Sequence, residues 1–151
     1  MATGFNERLS EGLAVVSCID PDAYTAAAYN GDVIDMQKYK RVMFIIQAGT
    51  LGSSATLDWV LKGDTASGGS YSTTITGKSI TQLTQAGTDD DKQVIVEVTA
   101  EEVAAQGFRY IRETMTVGTA TSDAGSVAVG FGMRYSPASE FDLASVDEIV
   151  A

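Results

Sequence analysis

The feature that most constrains the fold is residues 39–62, where two apolar runs alternate with the two-residue period of a β-strand. The residues that share one face are Val42, Phe44 and Ile46 in the first run, and Ala55, Leu57, Trp59 and Leu61 in the second. Met43 and Ile45 make the other face of the first run apolar as well. Glycines and hydroxyl side chains between the runs, at 48–54, predict a turn. We therefore predict a β-hairpin that pairs a core strand with a half-buried strand, as in a β-sandwich.

The same period recurs along the chain. Further strands are predicted at residues 13–19, 70–76, 93–98, 108–117 and 126–135. Asp20, Pro21 and Asp22 are expected to end the first of them, because proline cannot donate to a strand ladder. The cleanest alternation places Val127, Val129, Phe131, Met133 and Tyr135 on one face of the last strand.

Roughly seven to nine strands without a βαβ rhythm predict an all-β fold, an antiparallel β-sandwich of the jelly-roll or Greek-key type. One short connecting helix is expected at 99–107, where Thr99 and Glu102 form a capping box and Gly107 ends the turn. A chain of 151 residues has room for one domain. The predicted organisation is an N-terminal arm at 1–12, a β-sandwich domain at 13–136 and a C-terminal tail at 137–151.

Charge and composition exclude several functions. Ten basic against twenty acidic residues give a net charge of −10, which opposes binding to nucleic acid. The chain has no histidine, so histidine-based nucleophilic catalysis and histidine-ligated zinc are excluded. The N-terminal residues lack the pattern of a signal peptide, and no apolar run approaches ~18 residues. We expect no enzyme activity, no cofactor and no membrane contact, with synthesis in a host cytoplasm.

Three chemical alternatives remain open on the sequence. Asp89, Asp90 and Asp91 form a dense acidic run that either binds a hard cation such as Ca²⁺ or is a solvated loop. Cys18 is either a small buried side chain or a reactive thiol. The aromatic residues Trp59, Tyr71, Tyr110 and Tyr135 either line a carbohydrate groove or belong to the core and interfaces.

Several segments resemble a group of small structural proteins encoded among the head genes of tailed bacteriophages and prophages. The matching segments are 16–20 (VSCID), 41–54 (RVMFIIQAGTLGSS), 75–83 (ITGKSITQL), 86–92 (AGTDDDK), 107–112 (GFRYIR), 116–124 (TVGTATSDA) and 134–150 (RYSPASEFDLASVDEIV). The resemblance implies a head-associated accessory protein, a cement or decoration protein that binds the major capsid protein outside the shell. It also implies location on the virion exterior.

Apolar residues near both ends are the expected partner contacts: Phe5, Leu9, Phe141, Leu143, Ile149 and Val150. Lattice binding also favours self-association, with a trimer as the expected form. The alternatives are a neck, tail or head-fibre component of the same particle, and a carbohydrate-binding module for host attachment.

Overall fold

The computed structural model describes residues 8–135 and 137–151. Within these residues the strands are β1 Leu13–Tyr24, β2 Ala27–Asn30, β3 Ile34–Asp35, β4 Arg41–Ala48, β5 Thr56–Asp64, β6 Thr73–Ser79, β7 Leu83–Thr84, β8 Gln93–Thr99, β9 Tyr110–Gly118 and β10 Ser122–Phe131. The helices are α1 Leu9–Gly12 and α2 Ala100–Ala105, and a 3₁₀ turn spans Ala138–Phe141. None of the described helices is long and apolar enough to cross a bilayer.

The strands form two antiparallel sheets that pack face to face. The four-stranded sheet has the order β1-β10-β4-β8, and the six-stranded sheet has the order β2-β9-β5-β6. The short strands β3 and β7 pair with β9 and β5 beyond the ends of β2 and β6. Most connections cross from one sheet to the other, which is the arrangement of a jelly roll. The predicted antiparallel β-sandwich is confirmed.

The predicted hairpin at residues 39–62 is wrong. Strand β4 pairs with β10 and β8, whereas β5 pairs with β9, β6 and β7 in the other sheet. Residues 49–55 cross between the sheets, so the two apolar faces meet across the core instead of lying side by side. The rings of Phe44 and Trp59 lie 5.1 Å apart between centroids, and both side chains are buried. The inward apolar faces of these two strands bury more surface when they face each other than when the strands lie side by side in one sheet.

The expected break at Pro21 is also wrong. Strand β1 continues through Pro21 to Tyr24, with a register irregularity between Ile19 and Asp22. A bulge of this kind accommodates a residue that cannot donate to the ladder.

The predicted connecting helix is confirmed as α2. Thr99 Oγ1 accepts from the Glu102 amide at 3.2 Å, and the Glu102 carboxylate accepts from the Thr99 amide at 2.8 Å. Gly107 follows with φ +83°, a left-handed conformation that glycine adopts without strain. The helix carries the chain from β8 in one sheet to β9 in the other.

Candidate interaction surface

The large apolar residues of β10 point away from the core. Ser126, Ala128 and Gly130 face inward and are buried, while Val127 and Val129 are half-buried on the outer side and Phe131 is exposed. The strand also begins at Ser122 and ends at Phe131, about four residues earlier than the predicted strand. The cleanest apolar alternation in the sequence therefore marks an outer surface.

The inner side of β10 accepts only small residues because large groups from elsewhere fill that space. A Cβ atom added to Gly130 would lie 2.6 Å from Cδ1 of the buried Tyr39 ring. Ser126 Oγ donates to the Glu113 carboxylate at 2.6 Å. In β10, therefore, the small residues face the core and the large apolar residues face outward.

Apolar residues form a connected patch on the outer side of the four-stranded sheet, bordered by the exposed polar residues Gln47, Gln93 and Glu97. In the strand register Val129 lies opposite both Val15 and Met43, and Ile45 lies opposite both Val127 and Ile95. We call this surface the apolar face, and it consists of Leu13, Val15, Met43, Ile45, Ile95, Val127, Val129 and Phe131. Ile95 is 63% exposed and Phe131 is 36% exposed, whereas an ordinary solvated sheet face carries polar residues.

The charges on the apolar face cancel. Arg41 Nη1 lies 3.6 Å from Glu97 Oε1, and both side chains are more than half exposed. Together with Leu13, Met43, Val129 and Phe131 they line a shallow hollow of about 260 Å³. A neutral apolar region on a chain of net charge −10 is suited to contact with another surface.

The two ends of the described chain meet beside this face. A second hollow of about 200 Å³, which we call the terminal hollow, lies between α1, β1 and the tail. Its apolar lining comprises Leu9, Leu13, Ala14, Val15, Val129, Val146 and Ile149. Leu9 is 75% exposed, Ile149 46% and Val150 87%, so three of the predicted contact residues are accessible.

The other predicted contact residues in the tail are held against the body. The Phe141 ring packs edge-on against Tyr39, with centroids 6.2 Å apart, and Lys38 Nζ lies 5.9 Å from its centroid. The amide of Leu143 donates to the Val15 carbonyl at 2.8 Å. Phe141 and Leu143 are half-buried as a result, and Phe5 lies outside the described residues. A role of all six residues in partner contact stays a prediction.

A buried carboxylate joins the two sheets, and the sequence analysis missed it. Glu113 on β9 is fully buried and accepts from Ser17 Oγ at 2.7 Å, Trp59 Nε1 at 2.8 Å and Ser126 Oγ at 2.6 Å. The Ser17 hydroxyl accepts in turn from the Asp32 amide at 3.0 Å. The sequence does carry a signal for this carboxylate, because Glu113 shares the inward face of the strand with the apolar residues Ile111 and Met115.

The acidic run has structural partners. Asp89 accepts from the Thr84 amide at 2.9 Å and from Lys92 Nζ at 2.7 Å, and Lys92 lowers the pKa of its carboxyl. Asp90 accepts from the Leu51 amide at 2.7 Å. Over residues 8–135 and 137–151 no group of three acidic, cysteine or histidine side chains has the arrangement of a metal site.

Packing also bears on the remaining alternatives. Trp59 and Tyr71 are 1% exposed, so these two cannot line an open carbohydrate groove, whereas Tyr110 is half-buried and Tyr135 is 71% exposed. Burial, followed by the Asp20 carboxylate 3.3 Å from its sulfur, raises the pKa of Cys18 to about 11. This disfavours the reactive thiolate.

Comparisons with known proteins give a limited result. No protein-family model matches the chain, and no curated protein matches it. The solved structures to which it is similar include proteins of virus particles. One is the VP2 subviral particle of infectious bursal disease virus, with a TM-score of 0.47 and 15% sequence identity over 92% of this chain and 39% of that chain. A structure of the Gx strain of the same virus has a TM-score of 0.46 and 15% identity over 91% of this chain and 39% of that chain. A heated full particle of Israeli acute paralysis virus has a TM-score of 0.39 and 12% identity over 98% of this chain and 84% of that chain.

The chain spans about two fifths of the length of these infectious bursal disease virus chains. The order of the strands in the two sheets identifies the jelly roll.

Proposed function

We propose that the chain is a non-enzymatic structural protein of a bacteriophage particle that binds the outside of the major capsid shell as a cement or decoration protein. The observation that carries this proposal is the terminal hollow, where exposed Leu9 and Ile149 border an uncovered apolar cavity. Soluble domains rarely leave connected apolar surface open without a binding role.

The terminal hollow is built to hold a small apolar group. Its walls are attached to the body because Asp142 Oδ1 accepts from the Val15 amide at 2.6 Å and the Leu143 amide bonds the Val15 carbonyl. Its volume of about 200 Å³ accommodates one or two apolar side chains. A single contact of this size gives weak affinity, but repetition over a capsid lattice multiplies it.

Two further features support the proposal. The segments that resemble phage head proteins include the tail that forms one wall of the terminal hollow. The absence of histidine removes the commonest general base, in agreement with a role that needs no catalysis. The expected trimer belongs to this proposal only as the form assembled on the capsid lattice through the terminal residues, not as a form of the free chain.

The test is binding to capsids that lack the protein. Wild-type protein should co-sediment with such capsids and resist washing. Leu9→Glu and Ile149→Glu should each reduce the bound amount at least tenfold, because each places a charge at the mouth of the terminal hollow. Thr116→Glu, an exposed change on the outer side of the six-stranded sheet, is the matched control and should bind normally.

The copy number in purified particles separates the alternatives within the particle. Quantitative mass spectrometry should give a ratio to the major capsid protein between one to one and one to a few. A ratio of a few per hundred would favour a neck, tail or head-fibre component. Absence from the particle, or unchanged capsid binding in both charged variants, would contradict the proposal.

A further inference from the structure

We propose that the apolar face binds the same face of a second copy of this chain and forms a symmetric pair. This pairing requires no capsid. The apolar face adjoins the terminal hollow and shares Leu13, Val15 and Val129 with it, whereas Ile95 belongs to the apolar face alone and Leu9 and Ile149 to the terminal hollow alone. The symmetric contact is isologous, so each residue on one copy meets its counterpart region on the other.

The shape of the apolar face favours a sheet as its partner. Strands twist with a fixed hand, so a β-sheet surface is curved, and the surface that packs against it best is another sheet with a similar twist. The inner side of this sheet is already covered in that way by the six-stranded sheet. A second copy supplies an identical twist, and alternating side chains such as Val129 and Met43 interdigitate in a layer about 10 Å thick.

The charge pattern favours a second copy over a basic partner. Each chain carries −10, and a basic protein or peptide would be drawn to the acidic end of the sandwich, where Asp22, Asp91 and Asp123 line a hollow of about 560 Å³. The apolar face instead carries one positive and one negative side chain, Arg41 and Glu97. Two copies related by a two-fold axis can offer each of these charges its opposite on the other chain.

The area of the apolar face determines how strongly two copies are expected to associate. Four strands at about 4.8 Å spacing and about six residues in length give an upper limit of roughly 400 Å² per copy, because polar residues such as Gln93 and Glu97 occupy part of that area. The pair therefore buries at most roughly 800 Å² in total, less than the 1,200–2,000 Å² of a typical stable complex. We expect a dissociation constant in roughly the 10 µM to 1 mM range.

The experiment is analytical ultracentrifugation of the full chain, without capsids, from about 5 µM to 1 mM protein in 50 and 500 mM NaCl. The average mass should rise with concentration from 15.9 kDa toward twice that value. Association should be stronger in 500 mM NaCl, because salt screens the repulsion between two chains of −10 while the apolar contact persists.

Substitution at Ile95 locates the contact. Ile95 is the most exposed of the large apolar residues on the described strands, so Ile95→Lys should leave the fold and melting temperature nearly unchanged. It should weaken self-association at least tenfold. Thr116→Lys makes the same change in charge on the outer side of the other sheet and should associate like wild type.

Three results would each overturn the pairing: a mass of 15.9 kDa at 1 mM protein in 500 mM NaCl, a limiting mass of three chains, or association of Ile95→Lys equal to wild type. If the chain does not pair but still binds capsids, only the pairing is wrong and the proposed function stands. Loss of capsid binding in the Leu9 and Ile149 variants with self-association intact leaves the pairing standing.

Discussion

Replacement of Glu113 by leucine tests whether the buried carboxylate stabilises the sandwich or is only tolerated there. The side chain is fully buried and receives three side-chain hydrogen bonds, from Ser17 and Ser126 on the four-stranded sheet and from Trp59 on the six-stranded sheet. It therefore fixes the position of one sheet against the other. Leucine keeps a similar size and removes every acceptor.

The expected loss of unfolding free energy follows from the hydrogen-bond donors that lose their acceptor in Glu113→Leu. A buried donor without an acceptor costs about 1–3 kcal/mol, and the indole N–H of Trp59 has no freedom to find another partner. The two serine hydroxyls rotate and recover part of their loss. We expect Glu113→Leu to lower the free energy of unfolding by about 3–5 kcal/mol, a large share of the roughly 5–15 kcal/mol available to a domain. Glu113→Gln keeps one oxygen and should lose about 1–2 kcal/mol.

Urea denaturation followed by circular dichroism measures these changes, with the fluorescence of Trp59 as a second probe of two-state behaviour. Glu97→Gln, an exposed acid on β8, is the control and should change stability by less than about 0.5 kcal/mol. In a double-mutant cycle, Trp59→Phe should reduce the effect of Glu113→Leu by about 1–2 kcal/mol, because the indole donor is already gone.

A leucine variant as stable as wild type, or more stable, would contradict a stabilising role of the Glu113 carboxylate. Well-packed apolar residues sometimes replace buried charged groups at no loss. In that case the hydrogen bonds to Glu113 do no more than offset its desolvation. A coupling energy near zero between Glu113 and Trp59 would lead to the same conclusion.

Three further predictions concern pH, capping and thiol chemistry. Arg109 donates two hydrogen bonds to the Asp35 carboxylate, at 3.0 and 2.7 Å, and lowers the pKa of that carboxyl below its ordinary 3.8. The stabilisation by this ion pair is therefore complete above pH 3.8 and is lost as the pH falls through the lowered pKa. The difference in melting temperature between wild type and Asp35→Asn should thus be constant from pH 7 to about 5 and shrink below pH 3.8; a pH-independent difference would contradict this. Thr99→Ala removes the acceptor for the Glu102 amide and should lower the unfolding free energy by about 1 kcal/mol in urea denaturation, and no change would mean that the cap contributes nothing. Because the pKa of Cys18 is raised from 9.0 to about 11, iodoacetamide at pH 8 should alkylate the native thiol about 100-fold more slowly than the unfolded chain, and equal rates would exclude the shift.

Local patterns predicted the parts of the fold that depend on neighbouring residues in the chain. The capping box of Thr99 and Glu102 and the glycine at 107 were sufficient to place α2, because all the groups involved lie within nine residues. Strand periodicity likewise identified the inward residues of β4 and β5 correctly. Periodicity carries no information on the neighbouring strand, and for that reason the pairing of β4 with β5 was wrong.

The candidate surfaces were predictable only in part. Leu9, Ile149 and Val150 are apolar residues in polar surroundings, and the structure leaves them exposed. Phe141 and Leu143 have the same local character, but contacts with Tyr39 and the Val15 backbone hold them on the body. Partner residues distant in sequence make this difference, so no local pattern reveals it.

The amino-acid sequence establishes that the chain is acidic and lacks histidine, and its side-chain period and capping box predict an all-β chain with one capped helix, because these are properties of composition and of short segments. Contacts between residues distant in sequence determine which face of β10 is covered. The apolar set Val127, Val129 and Phe131 alternates perfectly, yet Tyr39 and Glu113 occupy the space behind the strand and admit only small residues. Burial depends on what the rest of the chain places on each side, and this turns a pattern typical of a core strand into an open apolar surface.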